Sequence, residues 1–178
     1  MSNRKIVIMS VVVLTGILLT TVYGIKGSFA SGDDDYDTAR KNPTYIEECG
    51  ACHMVYPPRL LPANSWRKMM AGLDDHFGEN AELDSETTQL IERYLVKSTD
   101  SSKQKYRKLF RNLGSRTPLR ITELPYFIRK HDEIPAKFLV DNDKLSSFSQ
   151  CSACHKYAEK GEFEDDDISI PGYGHWDD

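Results

Sequence analysis

The sequence predicts a mainly α-helical protein, and three observations carry that prediction. Apolar residues recur at i, i+3, i+4, i+7 in four separate segments, each opened by a Ser, Thr, Asp or Asn and most closed by Gly or Pro. No stretch alternates apolar and polar residues as a half-buried strand would. The two most distinctive strings, Cys49-Gly50-Ala51-Cys52-His53 and Cys151-Ser152-Ala153-Cys154-His155, have no strand-like run before them, which excludes the strand-helix setting of a thioredoxin-type motif.

In chain order, residues 1–30 read as an export signal. Arg4 and Lys5 form a positive start, Ile6 to Ile25 is apolar and uncharged, and Ser28-Phe29-Ala30 supplies small residues for cleavage before Ser31. The alternative is an uncleaved anchor, since about 20 apolar residues can span a bilayer. Both readings place the rest outside the cytoplasm. Residues 31–43 form an acidic, flexible segment. A lobe over 44–115 then holds the first motif, a lobe over 116–172 holds the second, and 173–178 is an acidic tail.

Within the first lobe, Pro57, Pro58 and Pro62 disfavour helix. Asn64 or Ser65 then caps a helix whose stripe, Trp66, Met69, Met70 and Leu73, continues to His76 and Phe77 before Gly78. A second helix starts at Asp84 or Ser85 and buries Leu90, Ile91, Tyr94 and Leu95. A third starts near Ser102, with Tyr106, Leu109, Phe110 and Leu113 inward and Gly114 as its stop. In the second lobe Thr122 caps a helix with Pro125 in its first turn, and Leu124, Phe127, Ile128 and His131 share one stripe up to Pro135.

The two pentapeptides contain all four cysteines. C-x-x-C-H is the spacing at which two thiols add to the vinyl groups of one haem while the adjacent histidine ligates its iron. A four-thiolate zinc site ordinarily separates its pairs by about 15–20 residues, whereas Cys52 and Cys151 are 99 positions apart (151 − 52). Disulfides would leave both following histidines unexplained. The reading is two covalent c-type haems on Cys49, Cys52, Cys151 and Cys154, with His53 and His155 as proximal ligands.

Each iron then needs a sixth ligand, and three histidines lie outside the motifs: His76, His131 and His175. A histidine on an apolar face is ordinarily a hydrogen-bonded core residue, but two irons in want of ligands favour His76 and His131. His175, among the glycines and acids of the tail, reads as a surface residue that Trp176 could pin against a haem. Methionine is the other candidate. Met54 is too close to His53 to reach the opposite face, and Met69 and Met70 suit gap-filling. Pairing His76 with His53 and His131 with His155 is simplest; an exchanged arrangement stays open.

Charge narrows the partners. The formal charge is −4, and loss of a leader with three basic residues and no acid takes it to about −7. Nucleic acid is therefore excluded as a partner, and a membrane enters only through an uncleaved leader. Ten basic residues lie between Lys97 and Lys130 against Asp100 and Glu123, which reads as solvated helix faces or as a basic docking surface. Arg129 and Lys130 could reach haem propionates or face solvent. Two histidines per iron close both coordination positions, so the chain reads as an electron carrier and not as an enzyme. The competing class is a dihaem peroxidase or small-molecule reductase with one open haem, which needs a distal acid-base residue that the sequence does not offer. A haem-based sensor lacks a signalling domain.

Longer strings add a resemblance. The chain resembles the bacterial dihaem cytochrome c family, DHC, through Tyr45-x-x-Glu48-Cys49 leading into the first motif, Tyr56-Pro57-Pro58-Arg59-Leu60-Leu61-Pro62 and Ser65-Trp66. It continues through Asp75-His76-Phe77-Gly78, Pro125-Tyr126-Phe127-x-x-Lys130-His131-x-Glu133-Ile134-Pro135, and Ile170-Pro171-Gly172 beyond the second motif. The resemblance implies a class I cytochrome c-like N-terminal haem lobe, a small helical C-terminal haem lobe, and two bis-histidine low-spin haems with His76 and His131 distal. It also implies a periplasmic carrier that delivers electrons to a small oxygen-binding monohaem cytochrome c, with a membrane cytochrome b nearby.

Overall fold

The computed structural model describes residues 42–102, 106–140, 142–145 and 147–176. The leader, residues 31–41 of the acidic segment, Lys103, Lys105 and the last two aspartates lie outside the described residues. Five α-helices occur there: α1 (Pro43–Gly50), α2 (Ala63–Met70), α3 (Ser85–Ser102), α4 (Pro125–His131) and α5 (Cys151–Cys154). One two-stranded antiparallel hairpin follows, β1 (Ser169–Ile170) and β2 (Gly174–His175), with Ser169 opposite His175 and Ile170 opposite Gly174. The expected helical class holds.

The core forms where α1, α2 and α3 meet: Tyr45, Leu61, Trp66, Met70, Ile91 and Leu95. Helix α1 begins because Asn42 accepts the Tyr45 amide at 3.0 Å and Pro43, with no N–H to satisfy, takes the first turn. Helix α3 begins where the Asp84 carboxylate accepts the amides of Glu86 and Thr87. Its residues Ile91, Leu95 and Thr99 recur every four positions and make its buried stripe. Full burial of Ile91 and Leu95 contributes about 1.5–3 kcal/mol each.

The link between motif one and α2 is unusually well held. Pro57 and Pro58 are fully buried, and the Pro58 carbonyl accepts from the Trp66 indole at 2.7 Å and the Thr99 hydroxyl at 2.8 Å. The Tyr45 hydroxyl donates to the Tyr56 carbonyl at 2.8 Å. Pro62 has no N–H to offer the Pro58 carbonyl, which besides a long 3.5 Å bond from the Leu61 amide is held by side-chain donors.

Several elements differ from expectation. Helix α2 opens behind Pro62, with neither Asn64 nor Ser65 as its cap, and stops at Met70. Gly72 breaks the run, and a 3₁₀ turn over Leu73–Asp75 carries the chain to His76. Helix α3 continues to Ser102, past the expected start of a third helix; residues 106–113 form successive turns, with Asn112 in the left-handed region at φ 64°. Leu113 is nonetheless buried, as its spacing suggested, whereas Leu90 and Ile128 are exposed. Helix α4 is capped by Leu124 after a 3₁₀ turn, with Pro125 at its first position and no cap from Thr122. The hairpin was not expected: Ile170 is buried, and the Trp176 amide closes on the Ile168 carbonyl at 3.1 Å.

Candidate haem centres

Cys49 lies on the last turn of α1, packed against the core, while Cys52 and His53 are exposed just beyond the helix. The His53 Nδ1 lies 2.7 Å from the Met54 carbonyl, a contact that fixes Nδ1 as the protonated nitrogen and leaves Nε2 as the donor atom. Met54 therefore supports the imidazole through its backbone, while Met70 sits in the core and Met69 packs against it.

The structure brings His76 to His53, with ring centroids 6.2 Å apart and planes inclined by 25°. His76 reaches this position from a loop and not from the α2 stripe. Its backbone pairs with Glu79, and Phe77 and Gly78 both adopt positive φ, 61° and 101°. The Phe77 ring lies 4.8 Å from the His76 ring, and the Arg120 guanidinium covers its other side at 3.8 Å. Burial, with His53 and Arg120 nearby, holds the His76 imidazole below its ordinary range, favouring the neutral form that ligates metals.

The second centre repeats the juxtaposition with different supports. His131 ends α4, its Nδ1 2.9 Å from the Phe127 carbonyl one turn back and its ring stacked on Phe127 at 3.8 Å and 11°. Its centroid is 6.2 Å from that of His155, with planes inclined by 64°. Phe148 and Phe163 stand edge-on to His131 and His155 at 5.5 and 5.4 Å. Burial and the adjacent His131 lower the His155 pKa, against a smaller upward pull from Asp165. The Nδ1 atoms of His76 and His155 are buried without a hydrogen-bond partner.

The chemistry of both donor sets fits a haem. No disulfide joins any of the four cysteines. Burial, with the Glu48 charge, pushes Cys49 up to about 11, and burial raises Cys151 and Cys154. Among the described residues no group of three or more His, Cys, Asp and Glu side chains is placed to hold a metal ion alone. Two imidazoles sharing one metal ion, each with a nitrogen about 2 Å from it, would hold their ring centroids within about 6 Å of each other. Both observed pairs have that separation.

His175 stands apart from both pairs. It is exposed on β2, with Nδ1 2.9 Å from the Ile168 carbonyl. Lys130 pairs with Asp165 at 2.9 Å, and Arg129 lies against the Pro125 carbonyl and the Tyr126 ring. Sequence reasoning gave no role to Phe148, Phe163 and Arg120. None of the three lies on a helix, so no helical stripe marks them, and only the tertiary fold brings them to the rings.

A helical fold with two C-x-x-C-H attachment sites, each histidine facing a second one, defines a dihaem c-type cytochrome. The dihaem cytochrome c family profile, DHC, matches residues 45–163, and the chain belongs to that family. It carries two c-type haems, for which Cys49 and Cys52, and Cys151 and Cys154, are the fitting thiols, and its class of activity is electron transfer. The diheme cytochrome type c of Shewanella baltica is 49% identical, with 76% of this chain and 98% of that one covered and a TM-score of 0.64. A diheme cytochrome c from Rhodobacter sphaeroides is 48% identical, covering 69% of this chain and 97% of that one, at a TM-score of 0.62. No curated protein matches the chain.

Proposed function

We propose that this protein is a periplasmic one-electron carrier with two bis-histidine low-spin haems, His53 with His76 and His131 with His155. The observation that carries the reading is the equal 6.2 Å separation of the two histidine pairs, each beside its own attachment motif. The haems supply reversible one-electron Fe(III)/Fe(II) chemistry. The chain supplies two imidazoles per iron, and with both axial positions filled no substrate binds without displacing a ligand. Imidazole donates more strongly than thioether to Fe(III), so both potentials lie below those of His/Met cytochromes. Export rests on the leader, and the acceptor that the resemblance implies is a small oxygen-binding monohaem cytochrome c, with a membrane cytochrome b nearby.

Low-temperature EPR with near-infrared magnetic circular dichroism on the holoprotein tests this. Two low-spin ferric signals with bis-imidazole charge-transfer bands are expected. They should differ, because near-parallel imidazole planes split the iron π orbitals more than crossed planes do. The 25° pair should give the more rhombic signal and the 64° pair the more axial one. Replacing His76 or His131 by alanine should remove one low-spin signal each. A high-spin ferric signal in the wild type, or CO binding by its reduced form, would overturn the reading in favour of a dihaem peroxidase or reductase.

A further inference from the structure

The four residues Tyr56–Arg59, immediately after the first motif, reach both flanks of the second. The Tyr56 hydroxyl donates to the Ser149 carbonyl at 2.8 Å, two residues before Cys151. The Tyr56 ring lies 5.1 Å from the His53 imidazole. At the other end of the segment the Arg59 guanidinium, itself buried, donates to the Gly161 carbonyl and lies 4.8 Å over the Tyr106 ring. Gly161 is six residues beyond His155, so the two grips bracket the second attachment site.

The segment between the grips is stiff. Two prolines limit its backbone, and Tyr45, Trp66 and Thr99 hold its carbonyls from the first core. A rigid rod anchored in one haem lobe thus grasps the attachment loop of the other.

We propose that Tyr56–Arg59 is the element that sets the geometry between the two haems, with Tyr56 as the positioning residue that ties the His53 imidazole to the second attachment loop and so governs electron exchange between the haems. The exchange moves one electron from a ferrous to a ferric haem, with no proton transferred and no bond made or broken. The inference rests on the reading of His53 as an axial ligand.

The test compares two holoprotein variants. Tyr56→Phe keeps the ring beside His53 and loses only the bond to Ser149. Tyr173→Phe loses a comparable bond, from its hydroxyl to the Lys137 carbonyl at 3.1 Å, that involves neither the segment nor a histidine pair. Loss of one such bond, about 1 kcal/mol, should speed amide hydrogen exchange over residues 149–155 about fivefold in Tyr56→Phe. The same variant should slow interhaem exchange in half-reduced samples, read by NMR line widths, and broaden the interhaem distance distribution in pulsed EPR. Tyr173→Phe should leave all three at wild-type values. Wild-type values in Tyr56→Phe, or equal changes in both variants, would overturn the proposal. Failure of the ligand reading is distinguishable, because it appears as a high-spin signal in the unmutated protein.

Discussion

Gly161→Ala should be among the more damaging single-methyl additions in this protein, and its cost can be built from the structure. Gly161 caps the 3₁₀ turn Ala158–Lys160 in the left-handed region, φ 76° and ψ 15°. An L-residue there costs about 1–2 kcal/mol. The added Cβ would also lie 3.0 Å from Nη2 of Arg59 and 3.1 Å from Cγ of Pro57. Pro57 is buried and rigid, so the guanidinium must move off the Gly161 carbonyl, and hydrogen bonds to charged groups contribute about 1.5–3 kcal/mol. Part of that is lost, giving a total near 3 kcal/mol and a Tm about 6–12 °C lower for a chain of this length. Gly114→Ala is the control: φ is 62°, but nothing lies within 4 Å of the added Cβ, so only the backbone cost applies. Thermal unfolding of both holoproteins by far-UV circular dichroism decides the matter. Equal losses in the two variants would refute the claim that Arg59 closes against Gly161.

Two further outcomes follow from local chemistry. Asp84 has a lowered pKa because Thr87 hydrogen-bonds its carboxylate, so its capping contribution is present above the ordinary aspartate range and is lost as pH falls through the lowered value; Asp84→Asn should flatten a small part of the acid dependence in a pH-resolved unfolding series. His175→Ala should leave both low-spin EPR signals unchanged, since its ring is exposed and faces the Ile168 carbonyl; loss of either signal would make it a ligand.

How much was legible depended on whether a feature was local. The attachment motifs are covalent spacings, readable without a fold. The stripe to His131 held because Pro125 fixes where α4 begins, with Leu124 at the cap and Phe127 and His131 on real helix. The same reasoning brought His76 toward the first motif by the wrong route. The stripe from Trp66 to His76 contains Gly72, whose φ of −132° ends any helical continuation, and a 3₁₀ turn restores the chain to the same side. Periodicity cannot separate a helix from a turn that returns to its face; the glycine inside the stripe was the available warning. The missing third helix has a similar cause, since α3 absorbs Ser102 and the residues beyond Tyr106 carry a chain reversal at Asn112. The Pro171-Gly172 pair was a turn signal, but a hairpin with strands of two residues offers no alternation to read.

The two histidine pairs share a separation but not a foundation, and that difference should shape how the centres behave. His131 is carried on α4, with its ring flat against Phe127 and its Nδ1 beside a carbonyl of the same helix, so moving it means disrupting a helix end. His76 lies between Gly72 and Gly78, next to a phenylalanine held at positive φ, a conformation that costs about 1–3 kcal/mol and persists only while its surroundings enforce it. What enforces it is modest: backbone pairing with Glu79, the Asp75 carboxylate on the Gly78 amide, and Arg120 over a Phe77 ring that is 43% exposed. Local opening favours segments with few buried contacts and solvent-exposed backbone bonds, and the His76 loop fits that description where α4 does not. On the proposed ligation, the first centre has the looser distal side and the second the firmer one, and small-molecule access to iron should begin at His76.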